Sequence, residues 1–126
     1  MKHSKKLDAI CIGKILKYIQ TINDAYNTFS IGSGDDLDGN GICQLAIAQA
    51  ITNIYQLRQK IQEETLTKMP MFNRIGLKAA RNIASHDYDS LDFNIVYKRT
   101  LQLLRQELSD ELEAVKDDIE QCNTGD

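Results

Sequence analysis

In the first part of the chain, apolar residues recur every three or four positions, which is the period of an amphipathic helix. The recurring positions are Cys11, Ile15, Ile19, Ile22, Tyr26 and Phe29. The pattern predicts a first helix over about residues 5 to 29, in which Gly13 is a poor helix former. One apolar stripe on a helix needs a partner, so we expect this stripe to face the core.

A polar stretch, SIGSGDDLDGNG, occupies residues 30–41 and predicts a loop, because Gly, Asp and Asn favour turns. Asp36, Asp38 or Asn40 can cap the next helix, which we expect from about residue 37 or 41 to about residue 64. That helix has an apolar stripe and a second apolar side, so more than one neighbour is expected. The stripe comprises Ile47, Ile51, Ile54, Arg58 and Ile61, and the second side comprises Leu45, Ala46 and Tyr55.

Pro70 suits the first turn of a third, shorter helix that is expected to continue through about Ser85. After a turn, Ser90 can cap a fourth helix that has Asp92 in its first turn. This helix is expected to run to about residue 120, and residues 121–126 are expected to fray. Its stripe comprises Tyr97, Leu101, Leu104, Leu108, Leu112, Val115 and Ile119.

Nowhere does the sequence alternate apolar and polar residues over the length of a strand. Hydrophobic residues make up 42% of the chain and charged residues 26%, a balance that excludes a wholly disordered chain. We therefore predict one all-α domain over residues 1–126, an up-down bundle of long helices with a short inserted helix.

The N-terminal apolar stretch is interrupted by Asp8, Lys14 and Lys17. Neither a membrane-spanning segment nor a secretory signal is expected, so we predict a cytoplasmic protein. The three cysteines are far apart and form no Cys-x-x-Cys pair, which favours reduced thiols over disulfides or a zinc site. Cys11 and Cys43 are expected to pack as small hydrophobic residues.

Charge is unevenly distributed along the chain, whose net charge is −3. Residues 58–81 contain six basic and two acidic residues, whereas residues 105–126 contain two basic and eight acidic ones. The net charge argues against indiscriminate nucleic-acid binding, and any phosphate is expected to bind near Arg81. Alternatively, both runs are solvated helix faces.

The sequence Asp36-Leu37-Asp38-Gly39-Asn40-Gly41 resembles the opening of a calcium-binding EF-hand loop. The twelfth position of such a loop is Ile47, so the bidentate carboxylate that completes the oxygen shell is missing. We therefore interpret the segment as a polar turn and helix cap, with weak calcium binding as the alternative. No metal or other cofactor is expected.

Arg74, Lys78 and Arg81 lie at spacings of four and three, which places them on one face of the predicted third helix. Arg81 and His86 are five residues apart, or about 140° on a straight helix. They can meet at one ligand if the helix ends near residue 85, or if a symmetry-related copy supplies the complementary side.

An arginine fork can bind a phosphate, and a histidine can move a proton near neutral pH. Arg81 and His86 together therefore suit phosphodiester chemistry without a metal. Taken alone, Arg81 equally fits an exposed cation on a helix surface, and His86 fits a hydrogen-bonding residue at a helix end.

The segment RNIASHDY, residues 81–88, resembles the Arg-x4-His-x-Tyr motif of HEPN domains, specifically the HepT-like ribonuclease toxins that pair with a minimal nucleotidyltransferase antitoxin. The resemblance covers about residues 7 to 120, with the same order of long helices, loop, proline, motif and final helix. It implies a helical homodimer whose two Arg/His sets share a basic cleft and cleave RNA without a metal.

The resemblance also implies residue roles. Arg81 would bind the scissile phosphate, His86 would transfer a proton, and Tyr88 would be the hydroxyl that the partner adenylylates to silence the toxin. Asn82 would orient the motif, with Lys78 and Arg74 in support.

One position departs from the family pattern. Where the second helix of this family often carries Gly-Glu-Ala, the chain has Ala48-Gln49-Ala50, so an acid is replaced by an amide. If that acid supports the site, catalysis is weakened. The competing hypotheses are a nuclease-inactive helical subunit that docks a nucleotidyltransferase and helps it hold nucleotide or substrate, and a weakly calcium-responsive scaffold.

Overall fold

The computed structural model describes residues 2–75 and 91–124, with backbone only for residues 2–4, 123 and 124. Within these ranges the chain is helical and contains no strand, which confirms the all-α prediction for the described residues. The helices are α1 (Lys2–Thr28), α2 (Gly34–Asp38), α3 (Gly41–Lys60), α4 (Glu63–Thr67), α5 (Pro70–Arg74), α6 (Phe93–Leu103) and α7 (Gln106–Thr124).

Helix α1 is the centre of the bundle and packs against both α3 and α7. The predicted apolar stripe faces the core, where Ile15 and Ile22 are fully buried and Phe29 is partly buried. Gly13 faces α7, where a Cβ would lie 3.3 Å from Cε of Lys116, near the end of that side chain.

The segment predicted as a loop contains the short helix α2, which the turn-rich composition did not reveal. Ser33 caps α2 by accepting a hydrogen bond from the Asp36 N–H, at 3.1 Å. Asn40 caps α3 by accepting from the Cys43 N–H, at 2.9 Å. The Gln44 amide donates to the carbonyls of Leu37 and Asp38, so α2 is held against the start of α3.

Helix α3 ends at Lys60, four residues before the predicted boundary. The cause is Asp8 of α1, whose side chain is fully buried. Its carboxylate accepts hydrogen bonds from the Gln62 N–H, at 3.2 Å, and from the Thr65 hydroxyl. A buried carboxylate needs such donors, so the chain leaves the α3 axis at Ile61 and begins α4. This tertiary contact is invisible to helical periodicity.

The predicted fourth helix is two helices, because the chain breaks at Leu104 between α6 and α7. Asp92 is the cap of α6 rather than a first-turn residue, and it accepts a hydrogen bond from the Asn94 N–H at 3.0 Å. Ser90, the predicted cap, lies outside the described residues. Leu101 is 42% exposed, so that member of the predicted stripe does not belong to the core.

Tyr26 joins α1 to α6 inside the core. Its hydroxyl lies 2.5 Å from Oγ1 of Thr100, which in turn donates to the Tyr97 carbonyl at 2.8 Å. Because the Thr100 proton is used in that second bond, Tyr26 is the donor to Thr100. Burial raises the pKa of Tyr26 to about 12, and its ring lies 5.4 Å from that of Tyr97.

All three cysteines are free thiols. Cys11 and Cys43 are buried in the core, as predicted, and Cys122 is exposed. Burial raises the pKa of both core thiols, which keeps them protonated near neutral pH. Among the helices described, none is long and apolar enough to cross a membrane.

Candidate functional site

Most of the predicted site lies outside the described residues, in segment 76–90. The predicted residues in that segment are Lys78, Arg81, Asn82, His86 and Tyr88. Arg74 is described and is the last residue of α5, with an exposed side chain. The structure describes the helices on either side of this segment, α5 before it and α6 after it.

Helix α5 is fixed at its N-terminus by Glu111 of α7. The two carboxylate oxygens of Glu111 accept hydrogen bonds from the Met71 and Phe72 N–H groups, each at 3.0 Å. These are two of the donors that a helix N-terminus leaves unpaired, and Pro70 removes a third. A carboxylate at this end also complements the positive end of the helix dipole. One acid from the C-terminal helix thus sets the direction in which α5 points.

The other end of α5 is fixed by Arg58 of α3, whose Nη2 donates to Oδ1 of Asn73 at 2.8 Å. Its Nε is buried and has no hydrogen-bond partner among the described residues. Between the two contacts, Phe72 is inserted into the core and is 1% exposed. Arg58 belongs to the basic run of residues 58–81, but its guanidinium donates to Asn73 within the fold and is not a free surface cation.

A cleft of about 230 Å³ opens beside the end of α5. Its lining includes Met71, Arg74 and Ile75 from α5 and the residue after it, and Gln102 and Arg105 from α6 and the α6–α7 junction. Two guanidinium groups from distant parts of the sequence therefore share one cavity, at the point where the motif segment begins. This arrangement can bind an anion, because arginine forks match phosphate oxygens.

Sequence reasoning missed Glu111 and Arg105 as parts of this site. Both belong to the acidic C-terminal run, which was interpreted as charge on a solvated face. In the sequence, only Pro70 at the start of α5 indicated a helix N-terminus, whose free N–H groups need an acceptor from elsewhere. Nothing in the sequence marked the break after Leu104 that places Arg105 at the cleft.

The EF-hand-like segment is used for capping. The Asp36 carboxylate accepts a hydrogen bond from the Gly32 N–H at 2.9 Å, and the Asn40 side chain caps α3. Asn40 thus caps the next helix, as predicted, whereas Asp36 and Asp38 lie within α2 rather than in a turn. Asp38 is exposed on α2. The oxygens of Asp36 and Asn40 are therefore occupied by backbone donors.

We expect no calcium binding at this segment tighter than about millimolar, since Ile47 is a buried apolar side chain that supplies no oxygen, and one Asp36 oxygen and the Asn40 oxygen already accept backbone hydrogen bonds. Titration calorimetry of the purified protein with CaCl₂ measures this directly. A stoichiometric isotherm with micromolar affinity would contradict it.

Gln49, at the position of the family's helix-two acid, is exposed on α3. Its amide donates to Oδ1 of Asn53 at 3.3 Å, a bond within the same helix. Gln49 and Arg58 are nine residues apart, or about 13 Å along the helix axis. Gln49 is thus separated from the part of α3 that holds α5.

Comparison with known proteins identifies no relative: no protein-family model matches the chain, and neither the curated proteins nor the solved structures contain a match.

Proposed function

We propose that the protein is a metal-independent endoribonuclease of the HEPN type, the toxin of a toxin–antitoxin pair. The observation that carries the proposal is the motif Arg81-Asn82-x3-His86-x-Tyr88, which begins seven residues after the end of α5, a helix that is held at both ends. In this proposal Arg81 binds the scissile phosphate, His86 transfers a proton, and Asn82 orients the motif. Lys78 and Arg74 add positive charge on the approach to the site.

The anchoring of α5 supports this proposal, because phosphodiester cleavage depends on accurate placement of the arginine and histidine. Glu111 and Arg58 fix the helix from opposite sides, from α7 and α3 respectively. The cleft beside Arg74 supplies positive potential in a chain whose net charge is negative.

We propose that the active form is a cytoplasmic homodimer, with the motif segments near the two-fold axis. Support comes from Leu7 and Ile10, which are 56% and 46% exposed on neighbouring positions of α1. They flank Asp8, which binds α4, so they lie at the end of the bundle that carries α4 and α5. Exposed apolar side chains at this end suit a contact with a second copy.

Light scattering at micromolar concentration should give the mass of two 14.3 kDa chains. Ile10→Asp should shift the protein to monomer, because a carboxylate would be buried at the contact. Ile42→Asp is the matched control: Ile42 is 70% exposed at the opposite end of the bundle and should leave the dimer intact. A monomeric wild type would contradict the dimer.

The regulatory part of the proposal assigns Tyr88 as the hydroxyl that a minimal nucleotidyltransferase antitoxin adenylylates. AMP on Tyr88 would place negative charge and a purine where the RNA phosphate must bind. Tyr88→Phe should therefore remain a nuclease but escape silencing. Intact-mass measurement after co-expression should show added AMP on the wild type and none on Tyr88→Phe. An addition that persists on the variant would contradict the assignment, with Tyr97 as the next position to examine.

A second candidate function is a nuclease-inactive subunit that binds a nucleotidyltransferase and helps it hold nucleotide or substrate. Gln49 favours it, since an exposed amide stands where the family often has an acid. Expressing the chain without a partner separates the two candidates. Growth inhibition that His86→Ala removes supports the nuclease. If the protein is the binding subunit, cells that express the wild type and cells that express His86→Ala should grow equally.

A further inference from the structure

The residues that line the cleft beside α5 lie outside the motif RNIASHDY. Arg74 ends α5, whereas Arg105 lies at the junction of α6 and α7, thirty-one residues later. Gln102, one turn before Arg105, adds an amide that can donate a hydrogen bond to an oxygen. The cleft is thus lined by donors from both sides.

Neither Arg74 nor Arg105 forms an ion pair or a hydrogen bond through its guanidinium within the part of the chain that the structure describes. Both side chains are exposed, and both line the same cleft. Two guanidinium groups at one cleft concentrate positive charge there, which favours an anion.

The acids nearest to Arg105 in sequence form no ion pair with it. Asp110 accepts a hydrogen bond from the Gln106 amide at 2.9 Å, and Glu111 binds the backbone of α5. Glu107, in the first turn of α7, is exposed and makes no ion pair with Arg105. The acidic C-terminal helix therefore leaves the arginines of the cleft available to an external anion.

The start of α7 adds to the positive potential. The carbonyl of Arg105 accepts hydrogen bonds from the Leu108 and Ser109 N–H groups, which places Arg105 at the N-terminus of this 19-residue helix. That end of a helix carries partial positive charge, which disfavours an arginine and favours an anion.

We infer that Arg74 and Arg105 form a second phosphate site, which binds the backbone of the RNA strand beside the bond that is cut. The inference rests on the proposed function for its ligand. The cleft of about 230 Å³ is below the roughly 300–1,000 Å³ of small-molecule pockets, so it suits one phosphodiester group rather than a whole nucleotide.

The test measures binding without cleavage. The probe is a short single-stranded RNA with 2′-O-methyl groups, which lack the hydroxyl that can attack the neighbouring phosphate. Fluorescence anisotropy gives the Kd over a series of salt concentrations for the wild type, Arg105→Ala, Arg74→Ala and Arg105→Lys. The matched control is Arg99→Ala, since Arg99 is an exposed arginine of α6 that does not line the cleft.

Arg105→Ala and Arg74→Ala should each weaken binding roughly tenfold at low salt. Each should also lower the slope of log Kd against log salt by about 0.7, the value for one lost phosphate contact on a single strand. Arg105→Lys should keep most of the slope but lose affinity, because lysine retains the charge and lacks the fork. Arg99→Ala should change neither quantity by a comparable amount.

Equal losses for Arg105→Ala and Arg99→Ala, or a wild type that does not bind the probe, would overturn the site. If inorganic phosphate competes with the probe and abolishes the difference in Kd between the wild type and Arg105→Ala, the result would support the site. Failure of the proposed function is a separate result: a wild type that binds the probe through Arg105 but leaves unmodified RNA uncut would retain the site and reject the nuclease.

Discussion

Arg81→Ala and His86→Ala should each reduce the rate of RNA cleavage by about 10²-fold or more, because each removes a group that no other part of the motif replaces. In the proposed mechanism, Arg81 would supply the phosphate fork and His86 would transfer the proton. Both lie near the predicted end of the motif helix, so their truncation should cost about 1 kcal/mol of stability or less. Single-turnover cleavage of a labelled RNA, with a thermal melt of each variant, measures both effects.

The control for this pair is Lys68→Ala, an exposed basic residue after α4 that lies outside the motif. Its cleavage rate should stay within a few-fold of the wild type. A His86→Ala protein that cuts RNA at the wild-type rate would remove the basis for the assigned roles, provided that its melting curve is unchanged.

Gly34→Ala should destabilise the protein by about 3 kcal/mol, at the upper end of overpacking effects. A Cβ at position 34 would lie 2.7 Å from the Cα of Asn94, a backbone atom of α6 that cannot move aside alone. The contact between α2 and α6 would have to open, and Leu37 and Phe93 are buried close to it. Urea denaturation of the wild type and the variant measures the difference in free energy of unfolding.

Gly41→Ala is a matched control for Gly34→Ala, since both glycines are the first residue of a helix. No atom lies within 4 Å of a Cβ at position 41. Alanine there should be neutral or should stabilise by about 0.5 kcal/mol, because it restricts the unfolded chain. Equal stabilities for the two variants would show that the α2–α6 contact is looser than the structure indicates.

Helical periodicity predicted the parts of the fold that depend on one apolar face. The stripe of α1 and the Ile47–Ile51–Ile54 stripe of α3 are buried as predicted, and Asn40 is one of the three predicted caps. The boundaries that failed depend on contacts between distant residues. Asp8 ends α3 from 54 residues away, and the break at Leu104 leaves the apolar spacing nearly unchanged.

In the candidate site, too, local sequence patterns were predictable and contacts between distant residues were not. The motif and Arg74 are recognisable because they are local in sequence. Glu111 lies 39 and 40 residues from the amides that it caps, so nothing near α5 in sequence reveals it. Arg105 is brought to the cleft only by the α6–α7 break. Charge counted along the chain missed the role of Glu111, because it records sign but not which groups are already paired.

Incubating the purified, unmodified wild-type chain with single-stranded RNA, in the presence and absence of EDTA, tests the proposed nuclease most directly. We expect cleavage in both conditions, since in the proposed mechanism Arg81 and His86 would supply the phosphate binding and proton transfer that a metal would otherwise provide. RNA that stays intact in both conditions would contradict the enzyme, and cleavage that EDTA abolishes would contradict its metal-independent chemistry.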